Sequence, residues 1–289
     1  MNARYEQIQQ LAAVHPVAVL CTLLEVSRSG YYGWRGRTPS RRQCEDARLT
    51  VEIRAAFEQS RRTYGRPRLT RALRERGHHH GERRIGRLMG AAGLRARNRR
   101  RFRPQTTQSR HDGPIAPNRL AKRLCAPSRR DEVWAVDLTY VPTTEGWLFL
   151  AVVLDLYSRR IVGWAFADSL PAGLPLAALN MALRQRRPGR GLLHHSDRGS
   201  QYASAQYRSV LRAHGLEQSM SRTANPYDNA AVESFFSTLK TECLQQLPPS
   251  TKLQTQALIF DYIESFYNRR RLHSALDYHS PVDFESINS

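Results

Sequence analysis

Three strand-like runs follow one another from Asp131 with only short turns between them: EVWAVDLTYVPT, GWLFLAVVLDLYS and RRIVGWAFADS. Each is rich in β-branched and aromatic residues, the composition of a pleated, half-buried surface. Helical spacing then returns in ALNMALRQRR. A short strand, GLLHHSD, a helix from about Ser200 to His214 and another strand, LEQSMS, follow. A proline-containing loop, RTANPYD, leads into a long helix beginning near Asn229, and a further amphipathic helix runs from Thr251 through Tyr267. Three strands, then helix, strand, helix, strand, helix, predict a mixed α/β layer arrangement over residues 131–248, with a helical extension at 249–289.

Upstream of Asp131 the pattern is helical and the charge changes sign. Residues 1–130 carry 30 Lys and Arg against 9 Asp and Glu, a net of +21, whereas residues 131–289 carry 15 against 16, a net of −1. A basic module therefore precedes a nearly neutral one, which points to a polyanionic partner. An apolar segment to about Leu24 is followed by Ser27, a good N-cap, and a second short helix; a longer helix covers Gln43 to about Gln59. Two short amphipathic stretches then meet at a turn near Gly77. Leu69 and Leu73, then Ile85, Leu88 and Met89, recur at helical spacing with arginines between them. This predicts a helix-turn-helix-like DNA-binding module over 1–93, with Arg66, Arg68, Arg83, Arg84 and Arg87 as candidate DNA contacts. Residues 94–130, dense in Arg and Pro, predict a linker whose Arg99, Arg100 and Arg101 could track a phosphate backbone. His78–His80 read as turn residues, because three consecutive histidines without a partner cluster seldom bind metal.

Membrane association fits poorly. The longest clean apolar run, Trp147–Leu154, is too short to span a bilayer, Leu11–Leu24 is broken by His15 and Pro16, and Met1 is followed by polar NARYEQIQQ rather than a signal peptide. The four cysteines, Cys21, Cys44, Cys125 and Cys243, form no CxxC, against a disulfide framework or a cysteine-built zinc site. The expectation is a cytoplasmic protein, nucleoid-associated when bound to DNA.

Three carboxylates stand out by joint placement. Asp137 lies mid-strand on the face of Val133, Ala135 and Val141, where an unpaired charge needs a partner or a metal. Asp197 ends the strand GLLHHSD, at the carboxyl edge where open α/β sheets place their sites. Glu233 falls in the first turn or so of the helix starting near Asn229. On that helix Val232, Phe235, Phe236, Leu239 and Cys243 form an apolar stripe, and Glu233, Ser237 and Lys240 share an adjacent face. Lys240 lies about 10 Å beyond Glu233 at ~1.5 Å per residue, and it is one of only three lysines against 42 arginines. An oxygen-only donor set suits Mg²⁺ or Mn²⁺, and two such ions could clamp both oxygens of an in-line phosphoryl transfer. Asp155, Asp168, Asp228 and Glu242 read instead as turn caps or ion-pair partners.

With 35 residues between Asp197 and Glu233, and Lys240 seven beyond it, the block WAVDLTYV, HSDRGSQY and NPYDNAAVESFFSTLK resembles the DDE transposase and retroviral integrase superfamily. VSRSGYYGWR, YGRPRLTRALRERG and YNRRRLHSALDYHSP resemble in particular the downstream-frame transposase protein of bacterial insertion sequences. The resemblance implies an RNase H-like integrase catalytic core in which Asp137, Asp197 and Glu233 are catalytic and hold two divalent ions, Mg²⁺ or Mn²⁺. It implies metal-dependent cleavage at DNA 3′-ends followed by strand transfer. Lys240 would meet a phosphate near the element end, Asn229 would approach the terminal nucleotides, and Arg198 joins the candidate DNA contacts. His195 fits two readings equally, a motif residue or a satisfied strand-end histidine. The implied partners are double-stranded DNA, at least one further copy of the chain, and an upstream-frame protein or fusion to it. The zinc-binding His/Cys module of retroviral integrases is absent from the sequence. Two alternatives stay open, a non-catalytic DNA-binding regulator that keeps the fold and an RNase H-like nuclease that does not join ends.

Overall fold

The computed structural model describes residues 2–96, 113–123, 125–169, 173–222, 229–246, 248 and 250–288. Strands β1 (Val133–Thr143), β2 (Gly146–Asp155) and β3 (Ile161–Ala167) form the expected antiparallel meander. β4 (Leu193–Ser196) then pairs parallel to β1, and β5 (Glu217–Met220) parallel to β4, giving the order β3-β2-β1-β4-β5. Burial alternates along β1 between two faces, as the period of two requires. Trp134 and Val136 pack with Ala151, Val153 and Val162 against helix α7 (Leu174–Arg186) and helix α9 (Ala205–Ala213). Ala135 and Val141 pack with Leu150, Val152, Leu154 and Ile161 against helix α10 (Ala230–Glu242) and helix α11 (Lys252–Asp261), whose end winds into a π-helical segment, Tyr262–Tyr267. α7 crosses β3 closely at Gly163, where a Cβ would stand 2.3 Å from the Ala178 carbonyl oxygen.

The helix expected over Ser200–His214 is divided. Ser204 adopts an extended backbone after the short α8 (Ser200–Ala203), and its hydroxyl accepts a hydrogen bond from the Tyr207 N–H, starting α9 afresh. Part of the expected linker lies along the sheet: the Arg119 N–H donates to Ser219 Oγ (3.0 Å) and the Arg119 guanidinium pairs with Glu217 (2.8 Å), covering the outer side of β5.

Six helices precede the sheet. α1 (Asn2–Leu11), α2 (Val17–Leu23) and α3 (Arg28–Arg35) enclose a cluster of their own, Tyr5, Ile8, Leu20, Cys21 and Tyr31. α4 (Arg41–Gln59) opens with a capping box between Ser40 and Gln43, and α5 (Arg66–Glu75) and α6 (Glu82–Ala91) meet at Gly77, whose φ of +86° a side chain would resist. Leu49, Ile53, Phe57, Leu69, Leu73, Ile85, Leu88 and Met89 of these helices join the same hydrophobic cluster as α10 and α11. Polar contacts lock that junction. The Tyr64 hydroxyl donates to the Arg270 carbonyl (2.9 Å) and accepts from the Leu272 N–H (2.8 Å). Glu242, at the end of α10, receives both arms of Arg271 at 2.7 Å each, the Tyr262 hydroxyl at 2.8 Å, and Arg68 of α5 at 3.6 Å. The closing helix α12 (Pro281–Ile287) is tied down by Glu285, which pairs with Arg160 and Arg186. No described helix is long and apolar enough to cross a membrane.

Candidate active site

The parallel pairing of β1 with β4 ends at Val136 and Ser196, so Asp137 and Asp197 are the next residues in register on neighbouring strands. At a strand spacing of about 4.8 Å their backbones are side by side. Asp137 is steadied by the Leu138 N–H, which donates to its Oδ1 at 2.8 Å, and Asp197 by the Gly199 N–H, which donates to its Oδ1 at 2.9 Å. Burial pushes the Asp137 carboxyl well above the usual carboxylate range; the negative charge of Asp197 adds to this, and that of Glu233 adds less. The Leu138 N–H and the Lys240 ammonium pull the other way without cancelling it. Two carboxylates that share a desolvated place resist being ionised together, and a cation between them removes the conflict.

Glu233 stands in the first turn of α10, and α10 packs on β1 with the predicted stripe: Val232, Phe235, Phe236, Leu239 and Cys243 are all buried. That packing turns the adjacent face, with Glu233 and Lys240, toward the strand acids. The Glu233 residue is exposed, yet partial desolvation raises its carboxyl. Burial lowers the Lys240 ammonium while Asp137 opposes the shift, and its Nζ lies 5.6 Å from the centre of the Tyr140 ring. Among the described residues no three acidic, histidine or cysteine side chains stand close enough to hold one ion together. Asp137 and Asp197 thus follow directly on the paired ends of β1 and β4, and Glu233 is carried separately on a helix. The chemistry of the set, hard oxygens in mutual repulsion, fits a divalent cation such as Mg²⁺ or Mn²⁺.

Asn229 sits at the N-cap of α10 without capping it, and its buried Oδ1 has no hydrogen-bond partner among the described residues. Arg198 turns its Nε to the Ser221 carbonyl (2.8 Å). His195 is fully buried, its ring nitrogens 2.9 Å from Ser219 Oγ and 3.0 Å from Ser221 Oγ on β5, so it is a satisfied strand histidine rather than a ligand. Asp155 caps its turn by accepting from the Tyr157 and Ser158 N–H groups, Asp168 pairs with Lys252 (3.4 Å), and Glu242 pairs with Arg271. Asp228 lies outside the described residues.

The arginines of the helical module are less available than the sequence implied. Arg68 is turned inward onto Glu242 and the Tyr64 ring, and burial lowers its guanidinium. Arg84 and Arg87 both bind Asp46, and Arg66 pairs with Glu82 (3.3 Å). Arg83 is exposed, and Arg99, Arg100 and Arg101 lie outside the described residues. One residue near the acids was not singled out from sequence. Tyr202 is fully buried; its hydroxyl is pushed well up by burial and by the charges of Asp197 and then Asp137. Its place in HSDRGSQY, five residues after Asp197, was the available signal.

Residues 43–102 match the model of an HTH-like domain, and residues 127–226 and 214–281 match two models of the integrase core domain. Over 288 residues the chain is 40% identical to the transposase InsF for insertion sequence IS3A of Escherichia coli (strain K12), covering 99% of each. The chain belongs to the IS3 family of insertion-sequence transposases. It is also 46% identical over 265 residues to the insertion element IS600 uncharacterized 31 kDa protein of Shigella sonnei, covering 92% of this chain and 97% of that one. A solved structure, the HTLV-2 integrase catalytic core domain in complex with magnesium, is 13% identical, covers 55% of this chain and 98% of that one, and superposes with a TM-score of 0.43. As an IS3-family transposase the chain has a helical HTH-like domain followed by a mixed α/β integrase core. Asp137 and Asp197 fall in the first integrase-core span and Glu233 and Lys240 in the second, whereas α1–α3 precede all three matched spans.

Proposed function

We propose that the chain cleaves phosphodiester bonds at the 3′-ends of its insertion sequence and joins the freed 3′-hydroxyls to target DNA. The observation that carries this reading is that the parallel pairing of β1 with β4 ends at Val136 and Ser196, leaving Asp137 and Asp197 as the next residues in a place desolvated enough that their charges conflict. Asp137, Asp197 and Glu233 would hold two divalent ions, Mg²⁺ or Mn²⁺. When bound, such ions lower the pKa of an attacking hydroxyl and take up charge on the leaving oxygen. The chain's own groups do the rest. The Leu138 and Gly199 N–H groups each hold one oxygen of the two carboxylates. α10 carries Glu233, which would join the pair when the ions bind, and the Lys240 ammonium, two turns on, would meet a DNA phosphate. The Asn229 amide, short of a partner, meets the terminal nucleotides.

Duplex DNA is the substrate, in an assembly of at least two copies because two ends must be brought together. An upstream-frame protein, or fusion to one, supplies further end recognition. The division we propose is a DNA-binding module over 1–93, a linker over 94–130, a catalytic core over 131–248 and a C-terminal extension over 249–289; Arg66, Arg83 and Arg87 are the exposed arginines through which the first would engage the duplex. Asp137→Asn, Asp197→Asn and Glu233→Gln are each expected to abolish strand transfer in Mg²⁺ while DNA binding persists. Near-wild-type cleavage by any one of them would overturn the assignment.

A further inference from the structure

The nearly neutral net charge of residues 131–289 conceals an uneven surface. α7 ends in RQRRPGRG and α9 ends in LRAHG, and between the two ends lies a concavity of about 470 Å³ lined by Leu183, Arg184, Arg187, Pro188, His214 and Asn180. Arg190 and Arg212 stand at the same two helix ends. Arg184, Arg187, Arg190, Arg212 and His214 are all exposed, and among the described residues none of the four arginines is paired with a carboxylate. A second cavity, of about 310 Å³, differs: Arg129 and Arg130 share it with Asp131 and Glu285.

The arginine cluster is built rather than incidental. The Gly191 N–H donates to the Gly215 carbonyl (2.8 Å), clamping the loop after α7 to the turn after α9. Gly215, at φ +68°, leaves room for the stem of Arg190, whose Cγ a Cβ there would meet at 2.8 Å. Basic residues often end helices because they offset the macrodipole. That offset is worth about half a charge per helix end, so two ends account for roughly one positive charge, and four arginines stand here.

We infer that this cluster is a second DNA-binding surface, on the catalytic core, that takes the phosphodiester backbone of a duplex at a distance from the scissile bond. This inference rests on the chain acting as a DNA-joining transposase. Gly191 lies just before β4 and Asp197 just after it, six residues and at most about 20 Å apart at ~3.3 Å per residue. That spans about six base-pair steps at ~3.4 Å each, so the cluster is beyond the reach of the nucleotide being cut.

The test uses the full chain with Arg184, Arg187 and Arg190 changed together to Gln, which keeps the side-chain stems. Binding to a labelled duplex is measured between about 50 and 200 mM salt, beside a control with Arg41→Gln, Arg62→Gln and Arg119→Gln, whose arginines are ion-paired. Each arginine that engages a phosphate contributes a salt slope of about 0.9, so the variant's slope should be shallower by about 2.7, and the control's by less than one such step. Magnesium-dependent cleavage of a duplex too short to reach the cluster should stay at the wild-type rate. A wild-type slope in the variant, or equal flattening in variant and control, overturns the inference while leaving the transposase reading intact. A wild-type chain that binds no duplex or shows no metal-dependent cleavage overturns both.

Discussion

Replacing Arg271 by Met should unfold the junction between the HTH-like domain and the core before anything else in the chain. Arg271 is 4% exposed and Glu242 9%, and the two are joined by a bidentate pair at 2.7 Å. Removing one partner of such a buried pair costs about 3–5 kcal/mol, because the other charge is left without compensation. Here Glu242 keeps the Tyr262 hydroxyl at 2.8 Å and Arg68 at 3.6 Å, which places the loss at the lower end, about 3 kcal/mol. The double variant Arg271→Met, Glu242→Leu removes both charges and refills the space with apolar groups, so it should recover most of that loss. Urea unfolding followed by circular dichroism measures the wild type, the single variants Arg271→Met and Glu242→Leu, and the double variant. A loss below about 1 kcal/mol in the single variant, the range of an exposed pair, or a double variant as unstable as the sum of the two singles, would refute the reasoning.

Asp137→Asn should stabilise the metal-free protein at neutral pH, by about 1.4 kcal/mol for each unit by which folding raises the carboxyl. Because the folded carboxyl binds its proton more tightly than the unfolded one, wild-type stability should fall as pH rises from the unfolded value through the folded one, and Asp137→Asn should remove that part of the slope. Thermal unfolding from about pH 4 to 8 reads both effects, and no change in slope would contradict them. Mg²⁺ should raise the wild-type midpoint and leave that of Asp197→Asn nearly unmoved, since only the intact pair gains a ligand on folding. Gly163→Ala, whose Cβ would meet the Ala178 carbonyl at 2.3 Å, should cost about 1–3 kcal/mol in urea unfolding; a stable variant would mean that α7 can lift off β3.

Much of the core was legible because its signals are local. The alternation of Trp134, Ala135 and Val136, the stripe from Val232 to Cys243, and the strand-end position of Asp197 each follow from a period of two or 3.6. The 35-residue gap to Glu233 added the resemblance. The turn-capping role of Asp155 was legible for the same reason, since the Tyr157 and Ser158 N–H groups it caps lie within three residues, although its other oxygen also accepts from the distant Asp131 N–H. What was not legible is non-local. Arg68 counted toward a DNA-facing surface because nothing in its own helix reveals that Glu242, 174 residues later, waits behind it. Arg84 and Arg87 lost their freedom to Asp46 in the same way. His195 could not be decided from sequence, because Ser219 and Ser221 become its neighbours only once β5 pairs with β4. Net charge over 130 residues counts cations but not their partners, and the unpaired arginines at the ends of α7 and α9 were hidden inside a segment that sums to −1.

On the proposed function, basic surfaces hold DNA while the acidic pair works only with divalent metal. The most direct test follows an element-end duplex, labelled at the 5′-end of the strand to be transferred, with plasmid target, in Mg²⁺ and in chelator, recording bound DNA and joined product together. Joined product is expected in Mg²⁺ and none in chelator, with equal binding in both. Joined product in chelator would contradict that function.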